Sequence, residues 1–321
     1  MSSHLSIGRA CGKVILLGEH AVVYGVPAIA VGVDRGARAT AMPLDRGPCT
    51  LLVRGWEIRV TEDDEGHDLG RALRAVLESA RRDGGLHSAV AIEAEADLPP
   101  GGGLGCSAAI GVAVARAIDP TAGEARILEH AMAWERVFHG NPSGVDAAVS
   151  ASGGCVFFRK GEPLEAVQVR GGLTLCIGGT GAASSTKSMV DAVARLRERR
   201  PDMVAKSFEG IRSLVQNARL AIEAGDRFAL GRLMDLNQMI LSGLFVSSEE
   251  IERMCDLARG AGALGAKLTG AGGGGSVVAL VSSTVVADKV LDAWRGAGFD
   301  GFAARVAAAE PPRIVISVSS P

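Results

Sequence analysis

The chain carries two glycine loops and a handful of charged residues set in apolar surroundings. Pro99-Pro100-Gly101-Gly102-Gly103-Leu104-Gly105-Cys106-Ser107-Ala108-Ala109 places four glycines in five positions. Without Cβ atoms such a backbone can come very close to a ligand. Before it, Val90, Ile92, Ala94 and Ala96 alternate at strand period; after it, Ala108–Ile118 is an apolar run long enough for a buried helix. Strand, glycine loop and helix N-terminus together offer free N–H groups and a positive dipole end to an anion, with phosphate as the natural candidate. A tight buried turn is the plain alternative. The Walker pattern needs a lysine after its last glycine, where this chain has Cys106. A dinucleotide fingerprint would need an acidic residue about 20 positions on, at the end of a strand, but Thr121–Leu128 reads as helix.

The charged candidates sit where charge is costly. Lys13 enters the apolar strand Val14-Ile15-Leu16-Leu17, and Glu19-His20 leave it. Buried charge needs a partner or a ligand; a self-satisfied pair at a turn is the simpler reading of Glu19 and His20. On the helix expected over Glu124–His139, Glu135 shares a face with Ile127, Ala131 and Phe138. A glutamate there is paired or holds a metal. Asp146 follows the turn His139-Gly140-Asn141-Pro142-Ser143-Gly144 and opens a short apolar segment, where it could act as a plain helix cap. A second glycine loop, Gly270-Ala271-Gly272-Gly273-Gly274-Gly275, stands near the other end. Two such loops point to one ligand gripped from both halves of the chain.

The patterning supplies elements to position these groups. Strands are expected at Ser6–Ala10 running on through Gly12–Leu17, at Ala28–Val33, Ala37–Met42 and within Cys49–Val60, and a surface helix at Leu69–Arg82. Gly153–Val169 reads as a hairpin and Leu173–Ile177 as a strand. Helices follow from Thr186 to Arg199 and over Val204–Ala224, Arg227–Leu241 and Ser247–Ala261. The ending, with strands at Ala266–Thr269, Val277–Val281, Phe302–Val306 and Arg313–Val318 around a helix at Val285–Gly296, suggests a split α+β sandwich.

Composition bounds the function. The 321 residues have room for two modest domains, and 47% hydrophobic residues with only 4% aromatics mean a core of Val, Leu, Ile and Ala. A formal charge of −2 gives no bulk attraction to nucleic acid or anionic lipid. Six scattered cysteines without a C-x-x-C pair argue against a disulfide frame or zinc site. No signal peptide and no membrane span are expected, which reads as a cytoplasmic protein.

Taken together the residues resemble the GHMP small-molecule kinases. Gly12–Gly25 resembles the first motif of that family, Pro99–Ala109 the second and Lys267–Gly275 the third. His139–Asp146 is similar to the segment that carries the catalytic aspartate in the branch acting on mevalonate. The similarity spans nearly the whole chain. It departs from the family at Cys11, where proline is usual, and at Cys106, where the first of two serines is usual, while Ser107 keeps the second. Leu51–Val60, the stretch that should meet adenine, matches poorly, and no adenine contacts are assigned.

The resemblance implies an α+β, two-domain fold with the active site in the cleft between an N-terminal domain (1–160) and a C-terminal domain (161–321). It implies ATP and Mg²⁺, and transfer of the γ-phosphoryl group to the C5 hydroxyl of mevalonate. Pro99, Gly101, Gly102, Gly103, Leu104, Gly105, Cys106 and Ser107 would hold ATP, and Ser107 and Glu135 the metal. Asp146 and Lys13 would be catalytic. Glu19, His20, Thr186, Gly270 and Ala271 would meet the substrate, with Lys187 a further candidate. The expected partner is a small molecule, with neither nucleic acid nor membrane involved; a homodimer is allowed. Rival readings are a family kinase acting on phosphomevalonate, homoserine or a sugar, and a catalytically inactive ligand sensor of the same fold.

Overall fold

A computed structural model describes residues 5–99, 102–140, 142, 144–182 and 185–306. Pro100, Gly101, Asn141, Ser143 and the strand expected at Arg313–Val318 lie outside the described residues.

The first half of the chain builds a seven-stranded sheet from β1 (Ser6–Leu17), β2 (Ala28–Pro43), β3 (Thr50–Val53), β4 (Ile58–Thr61), β5 (Val90–Ala96), β6 (Cys155–Phe158) and β7 (Glu165–Val167). The order is β4-β3-β5-β2-β6-β7, with β1 paired antiparallel to β2. Helices α1 (Asp68–Arg82), α2 (Cys106–Ile118), α3 (Glu124–His139) and α4 (Val145–Ser152) accompany it. The second half builds an antiparallel sheet from β8 (Leu173–Gly179), β9 (Gly265–Thr269), β10 (Ser276–Val281) and β11 (Asp300–Val306), in the order β11-β8-β10-β9. With it run α5 (Thr186–Arg199), α6 (Pro201–Ala224), α7 (Arg227–Gly243), α8 (Glu249–Gly260) and α9 (Thr284–Gly296). No helix among the described residues is long and apolar enough to cross a membrane.

The two strands expected at Ala28–Val33 and Ala37–Met42 are one continuous strand, β2. The polar break Asp34-Arg35-Gly36 looks like a strand end in sequence, but it is where β2 changes its outer partner. Ala28–Val31 pairs with β6 and Ala37–Pro43 with β5, while β1 follows both halves through a register shift at Cys11/Gly12. Gly36 makes that shift feasible, because a Cβ there would lie 1.9 Å from the Ala10 carbonyl oxygen.

Helix α2 is almost wholly buried and forms the spine of the first half. Its contact with α3 is built on Gly111, where a Cβ would stand 2.5 Å from Trp134 Cδ1. Gly111→Ala should gain about 1 kcal/mol of helix propensity and lose about 1–3 kcal/mol to overpacking. Trp134 is fully buried and has no room to yield, so a net loss is expected as a lower midpoint in urea melts. An unchanged or higher midpoint would contradict this packing account.

Between α1 and α3, Ser79 Oγ meets His130 Nδ1 at 2.9 Å, and His130 Nε2 meets Asp119 Oδ2 at 3.3 Å. This serine–histidine–aspartate array is buried, and Arg126 closes it by pairing with Asp119 at 2.9 Å. A substrate cannot reach it. It ties the helices together.

Candidate active site

Both glycine loops open on one cavity of about 540 Å³ between the two halves. The first loop runs from β5 into α2 with Gly103 at φ 73° and Gly105 at φ 71°, a region that side chains rarely adopt. Gly105 precedes α2 and no side chain caps the helix, so its first N–H groups are open to an anion. The Lys13 N–H donates to the Leu104 carbonyl at 2.8 Å, and a Cβ on Gly105 would lie 3.1 Å from Lys13 Cβ. Strand β1 therefore presents its lysine directly against the loop. From the other half, Ser276 Oγ donates to the Gly102 carbonyl at 2.8 Å. Gly270 faces Gly103 closely enough that a Cβ on Gly103 would stand 3.9 Å from Gly270 Cα.

The charged groups expected to do chemistry gather beside this loop. Lys13 Nζ pairs with Asp146 Oδ1 at 3.0 Å; the lysine side chain is 6% exposed and the aspartate side chain 44%. Asp146 lies in the first turn of α4, whose entrance needs Gly144 at φ 80°. Ser107 Oγ donates to Glu135 Oε1 at 2.7 Å, and His139 Nε2 lies 3.6 Å from Glu135 Oε2. Burial raises the Glu135 carboxyl above the usual carboxylate range, against the pull of the Ser107 hydrogen bond and of His139.

At the other end stand Glu19 and His20. Glu19 is buried, and its carboxylate is bonded by Lys267 Nζ and, at 3.2 Å, by Asn237 Nδ2. Burial raises the Glu19 carboxyl and lowers the Lys267 ammonium. His20 adopts φ 60° and its Nε2 meets the Ala271 carbonyl at 2.7 Å. A carbonyl only accepts, so Nε2 carries the proton and Nδ1 keeps its lone pair. Burial holds His20 below the usual histidine range, which favours this neutral form.

Of the residues expected from the sequence, Lys13, Glu19, His20, Gly102–Ser107, Glu135, Asp146, Thr186, Gly270 and Ala271 all line the cavity. Pro99 precedes the loop and does not line it, and Gly101 lies outside the described residues. Lys187, next to Thr186, is exposed and does not line it either. Lys267 and Asn237 were not foreseen as site residues. The signal for Lys267 is the one that marked Lys13, a lysine inside an apolar strand; Asn237 gave none.

Cys106 and Cys11 stand apart from each other. Cys11 lies away from this cavity, while Cys106 lines it and is largely buried, its thiol pushed up to about 11 by burial. It is thus protonated at neutral pH, and Ser107 makes the contact to Glu135. Cys106→Ser should leave kcat/KM within about threefold, since it exchanges one small neutral side chain for another. A loss of a hundredfold would put the thiol in the machinery.

Comparison with known proteins shows the family to which this fold belongs. Residues 69–154 match the family model of the GHMP kinase N-terminal domain, and residues 218–300 that of the C-terminal domain. The mevalonate kinase of Pyrococcus abyssi is 34% identical over 298 residues, covering 86% of this chain and 88% of the relative. That of Aeropyrum pernix is 35% identical over 287 residues, covering 84% and 87%. The crystal structure of L. major mevalonate kinase in complex with R-mevalonate superposes with a TM-score of 0.83 at 27% identity, covering 97% of this chain and 98% of that one. The fold is that of a GHMP kinase, and the chain belongs to that family. Within it, the chain is a member of the mevalonate kinase branch.

Proposed function

We propose that this cleft transfers the γ-phosphoryl group of ATP to the C5 hydroxyl of mevalonate, giving 5-phosphomevalonate and ADP. The observation that carries the reading is the Lys13–Asp146 pair, 3.0 Å apart, set against the glycine loop in the cavity that also holds Glu19 and His20. Phosphoryl transfer asks for positioning and charge neutralisation more than covalent chemistry. The loop backbone and the α2 N-terminus hold the phosphates. Asp146 orients the acceptor hydroxyl and takes its proton late, as the bond to phosphorus forms. Lys13 stabilises the negative charge on the hydroxyl oxygen and the γ-phosphate. The free Nδ1 of His20 accepts a hydrogen bond from the acceptor, Glu19 backs that wall of the cavity, and Thr186, Gly270 and Ala271 close around it.

Ser107 and Glu135 suit a hard cation such as Mg²⁺. Both offer oxygen, and the buried Glu135 carboxylate has only partial compensation from His139 and Lys13. Among the described residues no three His, Cys, Asp or Glu side chains converge as a ligand set, so the remaining ligands would be phosphates and water. When bound, the cation neutralises phosphate charge. Glu135→Gln should raise the Mg²⁺ concentration needed for half-maximal turnover by about tenfold or more. An unchanged Mg²⁺ curve would leave Glu135 a structural residue.

We divide the chain at 160/161: the first unit holds the ATP loop, Lys13, Glu135 and Asp146, and the second brings the other glycine loop and Lys267. Strand β7 then reaches back to pair with β6. We place the protein in the cytoplasm, a setting that fits six free thiols.

The acceptor is tested by ADP release from Mg-ATP with mevalonate, phosphomevalonate, homoserine and galactose. Among the described residues, Lys13 is the only lysine or arginine lining the cavity, and Asp146 occupies it. Mevalonate brings one carboxylate charge, whereas a phosphorylated acceptor adds a nearly dianionic group with no cationic partner, so turnover is expected with mevalonate rather than phosphomevalonate. Turnover with another acceptor alone would overturn the substrate reading and keep the fold.

A further inference from the structure

Glu19 is held by groups the mechanism has not used. Glu19 and Lys267 are 1% and 0% exposed. Lys267 Nζ bonds both Glu19 Oε1 and the Leu268 carbonyl, while Asn237 Nδ2 reaches Oε2 at 3.2 Å. Each oxygen of a carboxylate from the first half of the chain is thus engaged by a donor from the second, one on β9 and one on α7. Asn237 accepts a cost in doing so: its Oδ1 is buried with no hydrogen-bond partner. Turning the amide over would set that oxygen against the carboxylate, so the orientation follows from Glu19.

A buried ion pair is a poor device for stability, because packed apolar side chains in its place are often neutral or better. A charge census of the cavity points elsewhere. Among the described residues three carboxylates line it, Glu19, Glu135 and Asp146, against one lysine, which is already paired with Asp146. The proposed acceptor is itself an anion. A lone Glu19 charge would repel it in a partly desolvated cleft.

We propose that Lys267 is a positioning residue for the acceptor. From behind the cavity wall it cancels the Glu19 charge, and with Asn237 it fixes the fully buried carboxylate, so that the adjoining His20 meets the acceptor from a neutral, fixed wall. The neighbouring backbone is pinned to match. Thr269 Oγ1 donates to the Ile15 carbonyl at 3.0 Å and accepts from the Ile15 N–H at 3.1 Å, and His20 bonds the Ala271 carbonyl. This inference rests on the reading above that the acceptor is a hydroxylated carboxylate.

The test is steady-state kinetics on the full chain with each substrate varied in turn. Lys267→Met should raise KM for mevalonate by about 10- to 100-fold and leave KM for ATP within about twofold. Adding Glu19→Gln to it removes the stranded charge and should recover part of the mevalonate KM. Should Lys267→Met fail to fold, Asn237→Ala keeps the ion pair and frees one oxygen; it should raise the mevalonate KM several-fold with the ATP KM unchanged. Equal changes in both KM values, or an unchanged mevalonate KM in the variants that fold, would overturn the positioning role. Wild-type protein that binds ATP and does not turn over mevalonate would instead overturn the reaction reading, and this inference with it.

Discussion

Asp146→Asn is expected to cut kcat by about 10³-fold, within the range for loss of a proton-accepting group, while ATP affinity stays within about threefold. The amide keeps the shape of the side chain and removes both its charge and its capacity to take the hydroxyl proton. Among the described residues Asp146 pairs with Lys13 and makes no hydrogen bond to the glycine loop proposed to hold the phosphates, so nucleotide binding has no reason to follow turnover down. Lys13 would lose its partner while only 6% exposed. The Asp146 side chain, however, is 44% exposed, and a pair so screened contributes only about 1 kcal/mol. The variant should therefore fold, and its inactivity can be read as chemistry. Single-turnover rates beside fluorescent-ATP binding check this; near-normal turnover would remove Asp146 from the reaction.

Lys13→Met should cost a comparable factor, about 10²- to 10³-fold in kcat, the range for removing one preorganised donor from a developing negative charge. Methionine fills the apolar part of the lysine site along β1, so the glycine loop packed on it keeps its place. The stronger expectation concerns the pair. In the proposed mechanism Lys13 and Asp146, 3.0 Å apart, serve the same oxygen, so their losses should not multiply. The double variant should lie within about tenfold of the worse single one. Losses that multiply in full would mean that the two side chains act at separate steps.

Much of the site was legible in the sequence because its signals are local. A glycine loop between a strand and an apolar run announces itself, and Glu135 is marked by sharing a helical face with Ile127, Ala131 and Phe138. Lys13 was found as a charge out of place, whereas Asp146 read locally as a helix cap and gained its role from the family resemblance; their pairing across 133 residues came from that resemblance and the fold. What was missed is what depends on distant partners. Asp34-Arg35-Gly36 looks like the end of a strand unless β5 and β6 are both known to flank it. Asn237 sits on a long amphipathic helix, where a polar residue is ordinarily taken for the solvent face, and its partner Glu19 is 218 positions away. Lys267 stood in view within the third motif, yet nothing near it in sequence says that the charge it meets is Glu19, 248 positions away.

The central claim is phosphorylation of a particular oxygen, and the most direct measurement is phosphorus–proton correlation NMR on the product of mevalonate and Mg-ATP. The account predicts a single phosphomonoester coupled to the C5 methylene protons, formed in step with ADP and absent with Asp146→Asn. A phosphoester on the C3 oxygen, or ADP formed with no phosphoester of mevalonate, would contradict it.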